Sequence, residues 1–90
     1  PLLAAPYRYL AEAAEALKQT DAAIGAWQKV LKLDPRDPAE AHYRLARLLY
    51  SKDDPNAKRH LLMALEEAPR FREAHKMLLE MNGELKESQK

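Results

Sequence analysis

The feature that most constrains the fold is an internal period of about 34 residues. Residues 40–42, with the sequence Glu-Ala-His, recur as residues 73–75, 33 positions later. Pro35 recurs as Pro69 after 34 positions. A period of this length that contains two helices is typical of an array of helical hairpins, in which each hairpin buries its apolar face against the next.

The residue composition favours helices along the whole chain. Ala, Glu, Lys, Leu and Arg, which are strong helix formers, make up 55 of the 90 residues. Three residues are β-branched, namely Thr20, Ile24 and Val30, and two are glycines. A sheet with so few β-branched residues would be unusual. We therefore expect an all-α fold.

Prolines and capping residues divide the chain into five predicted helices. Asp37 supplies an N-cap side chain, Pro38 stands at the first helical position, where its missing N–H costs nothing, and Glu40 follows at the third. Asp54-Pro55 repeats this arrangement. The predicted helices span about residues 6–19, 21–33, 38–51, 55–69 and 71–82, and the alternative for the last is an extension to about 87.

With these helices in place, the sequence resembles the tetratricopeptide repeat (TPR) family. The family pattern has an aromatic residue, Leu and a small residue on the first helix, then Ala, an aromatic residue and Ala on the second, before a proline. Repeat one matches with Tyr7, Leu10, Ala11, Ala14, Ala23, Trp27, Val30 and Pro35. Repeat two matches with His42, Leu45, Ala46, Leu49, Ala57, Leu61, Ala64 and Pro69. The resemblance covers about residues 4 to 81. A match of this length suggests a short array or a fragment of a larger TPR protein.

The resemblance implies an α-α superhelix, a right-handed solenoid of two helical hairpins followed by a C-terminal capping helix. We expect a single domain over residues 1–90, with repeat one at about 4–37, repeat two at about 38–71 and the capping helix and tail at 72–90. Trp27 occupies a core position of the repeat, so we expect it in the core rather than stacked on a ligand.

Charge, cysteine content and hydropathy exclude several classes of protein. The formal net charge of +1 argues against a nucleic-acid binder or a polybasic membrane anchor. The chain has no cysteine, which excludes disulfides, cysteine–zinc sites and cysteine nucleophiles. No apolar run approaches the roughly 18 residues of a transmembrane helix, so the default expectation is a soluble, cytoplasmic chain.

The residues that could carry chemistry form no catalytic pattern. The hydroxyl candidates Thr20, Ser51 and Ser88 fall in predicted turns or in the tail, without a histidine at a predictable neighbouring position. His42 and His75 occupy equivalent repeat positions, which indicates packing within the scaffold rather than metal binding. We therefore predict no catalytic residue, no metal ligand and no cofactor.

The remaining candidate site is the surface of the first helices, which in TPR arrays lines a concave groove for an extended peptide or a partner helix. Tyr43, Arg47 and Tyr50 share one helix face, and Tyr and Arg are the residue types that anchor interfaces best. An Arg44/Arg47 pair could bind a carboxylate in a forked arrangement. Carried over by position, the predicted groove residues are Arg8, Tyr9, Glu12, Tyr43, Arg44, Arg47, Tyr50 and Lys76. The alternative is a solvated face with weak intrahelical pairs such as Glu40–Arg44.

The function expected first is a non-catalytic protein–protein interaction scaffold that binds a partner peptide or helix in this groove. The alternative is a structural spacer or self-association arm of a larger multi-domain protein, which would dock through the apolar residues Leu2, Leu3 and Tyr7 near the amino end. We expect reversal of Arg44 and Arg47 to glutamate to abolish partner capture and to leave the melting temperature nearly unchanged.

Overall fold

The fold of this chain is a short stack of helices. The computed structural model describes residues 4–33 and 36–83. Within these residues there are no strands, and the helices are α1 (Ala4–Ala16), α2 (Thr20–Leu33), α3 (Pro38–Ser51), α4 (Asn56–Glu67) and α5 (Arg72–Met81). The predicted all-α class is confirmed. None of these described helices is long and apolar enough to cross a membrane.

The helix ends lie within about two residues of their predicted positions, except at the carboxyl end of α1. Asp37 adopts a left-handed conformation with φ 47°, and its side chain accepts a hydrogen bond from the Glu40 N–H at 3.4 Å, as its sequence position predicts. α1 ends at Ala16 rather than near Gln19, because Lys18 turns left-handed with φ 60°. α5 ends at Met81, as predicted, and an extension to residue 87 falls outside the described part of the chain.

One apolar cluster joins the first hairpin, α1 and α2, to the helix that follows it. Trp27 and Val30 of α2 and Leu45 of α3 are fully buried in it. Small residues such as Ala11 and Ala41 complete the cluster, and their size permits the helix axes to approach closely. The cluster therefore stabilises the junction between the two repeats as well as the first hairpin itself.

A second apolar cluster joins the second hairpin, α3 and α4, to α5. It contains Ala46 of α3, Leu61 of α4, and Ala74 and Met77 of α5. Each helix packs mainly against its neighbour in the chain, and the principal extents are 42 × 27 × 19 Å. This linear arrangement is that of a helical solenoid, in which each unit contacts only the next one.

Leu10 and Leu45 occupy the same repeat position but differ in burial. Leu45 is 0% exposed beside α2, whereas Leu10 is 52% exposed. The family pattern has a leucine at both positions, yet only Leu45 is buried, although the alanines near Leu10, Ala11 and Ala14, are buried as well. Burial at this position depends on the helix beside it, which the pattern within a single repeat does not specify.

The pair Leu10 and Leu45 gives a direct test of how the stack is stabilised. Leu45→Ala should lower the free energy of unfolding by about 2–5 kcal/mol, because it removes fully buried methyl groups at the repeat junction. Leu10→Ala should change it by only about 0.5 kcal/mol, because Leu10 is half exposed. Urea unfolding followed by circular dichroism measures both, and equal losses would contradict the burial difference.

Candidate functional site

An open groove lies between α3 and α5. Its main hollow has a volume of about 440 Å³ and is lined by Tyr43, Arg47, Tyr50, Ser51, Glu73, Lys76, Met77 and Glu80. A second hollow of about 290 Å³ adjoins it, since Tyr43, Arg47 and Glu73 line both. The second hollow adds Glu40, Arg44 and Phe71. We call the two hollows together the α3–α5 groove.

The sequence of α3 places its aromatic and cationic side chains towards this groove. Tyr43, Arg47 and Tyr50 follow each other at helical spacing and so share one face. The other side of the helix is apolar and carries the buried residues Leu45 and Leu49. Burial of that apolar side therefore orients the tyrosines and Arg47 towards the groove.

Aromatic packing holds the beginning of α5 against α3. The rings of Tyr43 and Phe71 lie 4.9 Å apart with a tilt of 51°, and Phe71 directly precedes α5. The guanidinium carbon of Arg47 lies 5.6 Å from the centre of the Tyr43 ring. Tyr50, at 42% exposure, and the exposed Lys76 extend into solvent along the groove. The groove thus has a packed aromatic floor and a polar rim.

The predicted site residues fall into two groups. Those that line the α3–α5 groove are Tyr43, Arg44, Arg47, Tyr50 and Lys76. Arg8, Tyr9 and Glu12 lie on α1, outside these two hollows. Tyr9 is 72% exposed, whereas Arg8 donates a hydrogen bond to the Arg36 carbonyl at 3.2 Å and lies 5.7 Å from the Trp27 ring centre.

The carboxylate of Glu15 joins three helices, a role that sequence reasoning did not assign to it. It accepts hydrogen bonds from Arg44 Nε at 3.0 Å, from Arg47 Nη2 at 3.0 Å and from Trp27 Nε1 at 2.5 Å. The Glu15 side chain is only 9% exposed. We call Glu15, Trp27, Arg44 and Arg47 the Glu15 cluster. The arginine pair does bind a carboxylate, as its chemistry predicts, but that carboxylate belongs to the chain itself.

A second acidic residue adds to the charge balance around Arg44. Nη1 of Arg44 donates a hydrogen bond to the Glu40 carboxylate at 3.0 Å, and Glu40 lies one helical turn earlier in α3. Burial acts to lower the pKa of Arg44, but the hydrogen bonds and charges of Glu40 and Glu15 outweigh burial and raise it. The guanidinium therefore remains charged and remains a partner of Glu15. The predicted Glu40–Arg44 pair exists alongside the contact with Glu15.

Trp27 lies in the core, as predicted. Its ring is 0% exposed, and its indole N–H is directed to Glu15. The guanidinium carbon of Arg44 lies 5.1 Å from the ring centre, within the range of a cation–π interaction. A buried ring with its one polar atom satisfied is a structural element of the Glu15 cluster.

The Glu15 cluster changes the expectation for the Arg44→Glu/Arg47→Glu variant. Reversal of both charges removes two donors from Glu15 and places new carboxylates near a side chain that is almost buried. An unpaired buried carboxylate is costly, so the melting temperature of this variant should fall rather than stay constant. Loss of binding by this variant would therefore not locate a binding surface.

The role of the Glu15 cluster in stability can be tested with two alanine substitutions on α1. Glu15→Ala should lower the free energy of unfolding by about 1.5–3 kcal/mol, because charge-assisted hydrogen bonds to three side chains are lost. Glu12→Ala, at an exposed position of the same helix, should change it by only about 0.5 kcal/mol. Urea unfolding compares them, and similar losses would rule out a stabilising role for Glu15.

Two of the polar side chains considered as candidates for chemistry, Ser51 and His75, form hydrogen bonds within the chain. Ser51 Oγ donates to the Leu48 carbonyl at 2.6 Å, and the ring of His75 is hydrogen-bonded to the Pro69 carbonyl at 2.6 Å. Within residues 4–33 and 36–83, no group of three or more His, Cys, Asp or Glu residues is placed to hold a metal ion.

Comparison with known proteins agrees with the architecture. Residues 4–48 match the tetratricopeptide repeat family. No curated protein and no solved structure matches the chain. The matched segment covers the first hairpin and most of α3, and it contains Trp27, Val30 and Leu45 of the apolar cluster at the repeat junction.

The fold and the groove define a class of protein, the helical-repeat scaffolds. Since the family match covers half of the chain, the chain belongs to the tetratricopeptide repeat family. Repeats of this family generally mediate protein–protein interactions and are generally non-catalytic. The family thus indicates the general kind of function, namely binding of other proteins.

Proposed function

We propose that this chain is a non-catalytic interaction module that binds a segment of a partner protein, an extended peptide or a helix, in the α3–α5 groove. The observation that carries the proposal is the groove itself, with exposed Tyr50 and Lys76 along an open hollow of about 440 Å³. The partner is a protein; the proposal includes neither nucleic acid nor a membrane surface.

The side chains of the groove suit recognition of a peptide. Tyrosine supplies a large, rigid contact surface at low cost in conformational entropy, and Tyr43 is already held in place by Phe71. Arg47 is 48% exposed despite its contact with Glu15, so part of its guanidinium is accessible to a partner. Glu73 and Glu80 of α5 lie across the groove from Arg47. The groove therefore offers both signs of charge beside aromatic surface.

The predicted site residues on α1 would extend the proposed binding site beyond the α3–α5 groove. Exposed Tyr9 and Glu12 lie on the first helix of repeat one, as the groove residues of α3 do in repeat two. Contacts of Glu15 with Arg44 and Arg47 tie α1 to α3. A long partner segment would contact α1 beyond the α3–α5 groove.

The groove can be tested with peptides selected on the immobilised chain from a displayed random library. Tyr50→Ser and Lys76→Glu should each lower the affinity for the selected peptides by about tenfold or more, because anchor residues of an interface dominate its affinity. Neither substitution touches the Glu15 cluster, and urea unfolding of each variant checks that the fold is retained. Fluorescence polarisation measures the affinities.

Leu62→Ser is a matched control for the peptide experiment. Leu62 lies on α4 and is 44% exposed, close to the 42% of Tyr50, but it does not line the groove. Its substitution should leave peptide affinity unchanged. Peptides that bind all three variants as tightly as the parent chain would exclude the α3–α5 groove as the binding site.

A second candidate function, a self-association or structural arm, is favoured by the outer face of the first hairpin. Leu10 and Leu17 are 52% and 68% exposed there, beside an open hollow of about 520 Å³ between α1 and α2. Of the apolar residues first assigned to this role, Leu2 and Leu3 lie outside the described residues and Tyr7 is half-buried. We define Leu10 and Leu17 as the end face.

Sedimentation velocity over a range of concentrations tests the second candidate. If the end face mediates self-association, the parent chain should gain mass with concentration and the Leu10→Ser/Leu17→Ser variant should stay monomeric. Leu62→Ser/Leu79→Ser alters two leucines of 44% and 41% exposure elsewhere and should behave like the parent. A parent chain that remains monomeric at every concentration would remove this candidate.

A further inference from the structure

Two histidine rings meet across the interface between α3 and α4. Nδ1 of His42 lies 3.0 Å from Nδ1 of His60, and the ring centres are 5.2 Å apart with a tilt of 30°. Both rings are half-buried. Neither histidine takes part in the groove or in the Glu15 cluster. This contact is a polar link between the two helices of the second hairpin.

We propose that the His42–His60 pair is a pH-sensitive contact, which fastens α3 to α4 at neutral pH and is lost when both rings carry a proton on Nδ1. A hydrogen bond between two Nδ1 atoms needs one donor and one acceptor. The neutral pair satisfies this need if the rings adopt opposite tautomers, and a pair with one imidazolium satisfies it as well. A doubly protonated pair brings two N–H groups and two positive charges together.

The surroundings of the two rings favour the neutral state. Burial lowers the pKa of His42; Glu67 opposes this shift and Arg59 adds to it. Burial also lowers the pKa of His60, as do the charges of His42 and Arg59, while Asp54 opposes the shift. These groups come from both helices and from the turn that joins them. The net effect is that the pKa is lowered for both rings.

The direction of the shift determines how stability changes with pH. In the unfolded chain both rings titrate near 6.5, above their pKa values in the folded chain. The unfolded state therefore binds more protons as the pH falls below 6.5, which stabilises it relative to the folded state. The contribution of the pair is complete above this pH and is lost progressively below it.

Repeat one provides an internal comparison. The equivalents of His42 and His60 there are Tyr7, 35 positions earlier, and Ala26, 34 positions earlier. Neither carries an imidazole, so the first hairpin lacks this contact. The pH response should therefore begin in the second hairpin, whether or not the α3–α5 groove binds a partner.

Thermal unfolding and histidine NMR titration of the 90-residue chain test the proposal. The melting temperature of the parent should fall by about 4 °C or more between pH 7.5 and pH 5, and His42→Gln and His60→Gln should each show a smaller fall. In His42→Gln, the pKa of His60 should rise, because the charge of the neighbouring ring is removed. His75→Gln, which alters a histidine outside the pair, should retain the parent's fall.

A double variant keeps the test valid if a glutamine variant folds poorly. His42→Tyr/His60→Ala installs the residues that repeat one uses at these positions. It should remove most of the fall in melting temperature. If the parent, the double variant and His75→Gln all lose the same stability between pH 7.5 and pH 5, or if both rings titrate at the ordinary pKa, the proposal is overturned.

Discussion

The burial of Trp27, Val30 and Leu45 in one cluster is the interaction on which the rest of the structure depends. A single helical hairpin leaves one apolar side open to water, so the second repeat must lie against the first for this surface to be buried. The alanines at Ala11 and Ala41 make the close approach possible. With this junction formed, α3 is fixed, and the groove side chains of α3 are fixed with it.

In the Glu15 cluster, side chains that border the proposed binding groove also make structural contacts within the chain. Arg44, with a side chain that is 21% exposed, is used almost entirely within the chain, while Arg47 is shared between Glu15 and solvent. The aromatic pair of Tyr43 and Phe71 similarly positions α5 and forms the floor of the groove. Arg44 and Arg47 share one helix face, but a partner could reach only Arg47 to any extent, because Arg44 is largely covered.

The two outer ends of the described stack differ in character. The end face of the first hairpin consists of two exposed leucines, whereas α5 buries Ala74 and Met77 and exposes Arg72 and His75 beside one exposed leucine, Leu79. A polar outer surface is what a terminal helix of a repeat array needs for solubility. The capping-helix role of α5 stays a prediction, and the opposite end of the described stack retains apolar surface.

The sequence by itself determined the repeat period, the five helices, the cap at Asp37 and the core position of Trp27, because these depend on local spacing and on the residue types that end helices. It also indicated the groove residues of α3, because helical spacing sets which side chains share a face.

Only the tertiary structure decided the partner of Arg44 and Arg47, since Glu15 is brought to them by the stacking of helices and no spacing rule links the three. The exposure of Leu10 and the contact between His42 and His60 were decided in the same way. Each depends on which helix lies beside a position, and that neighbour is fixed by packing between repeats rather than by the sequence within one.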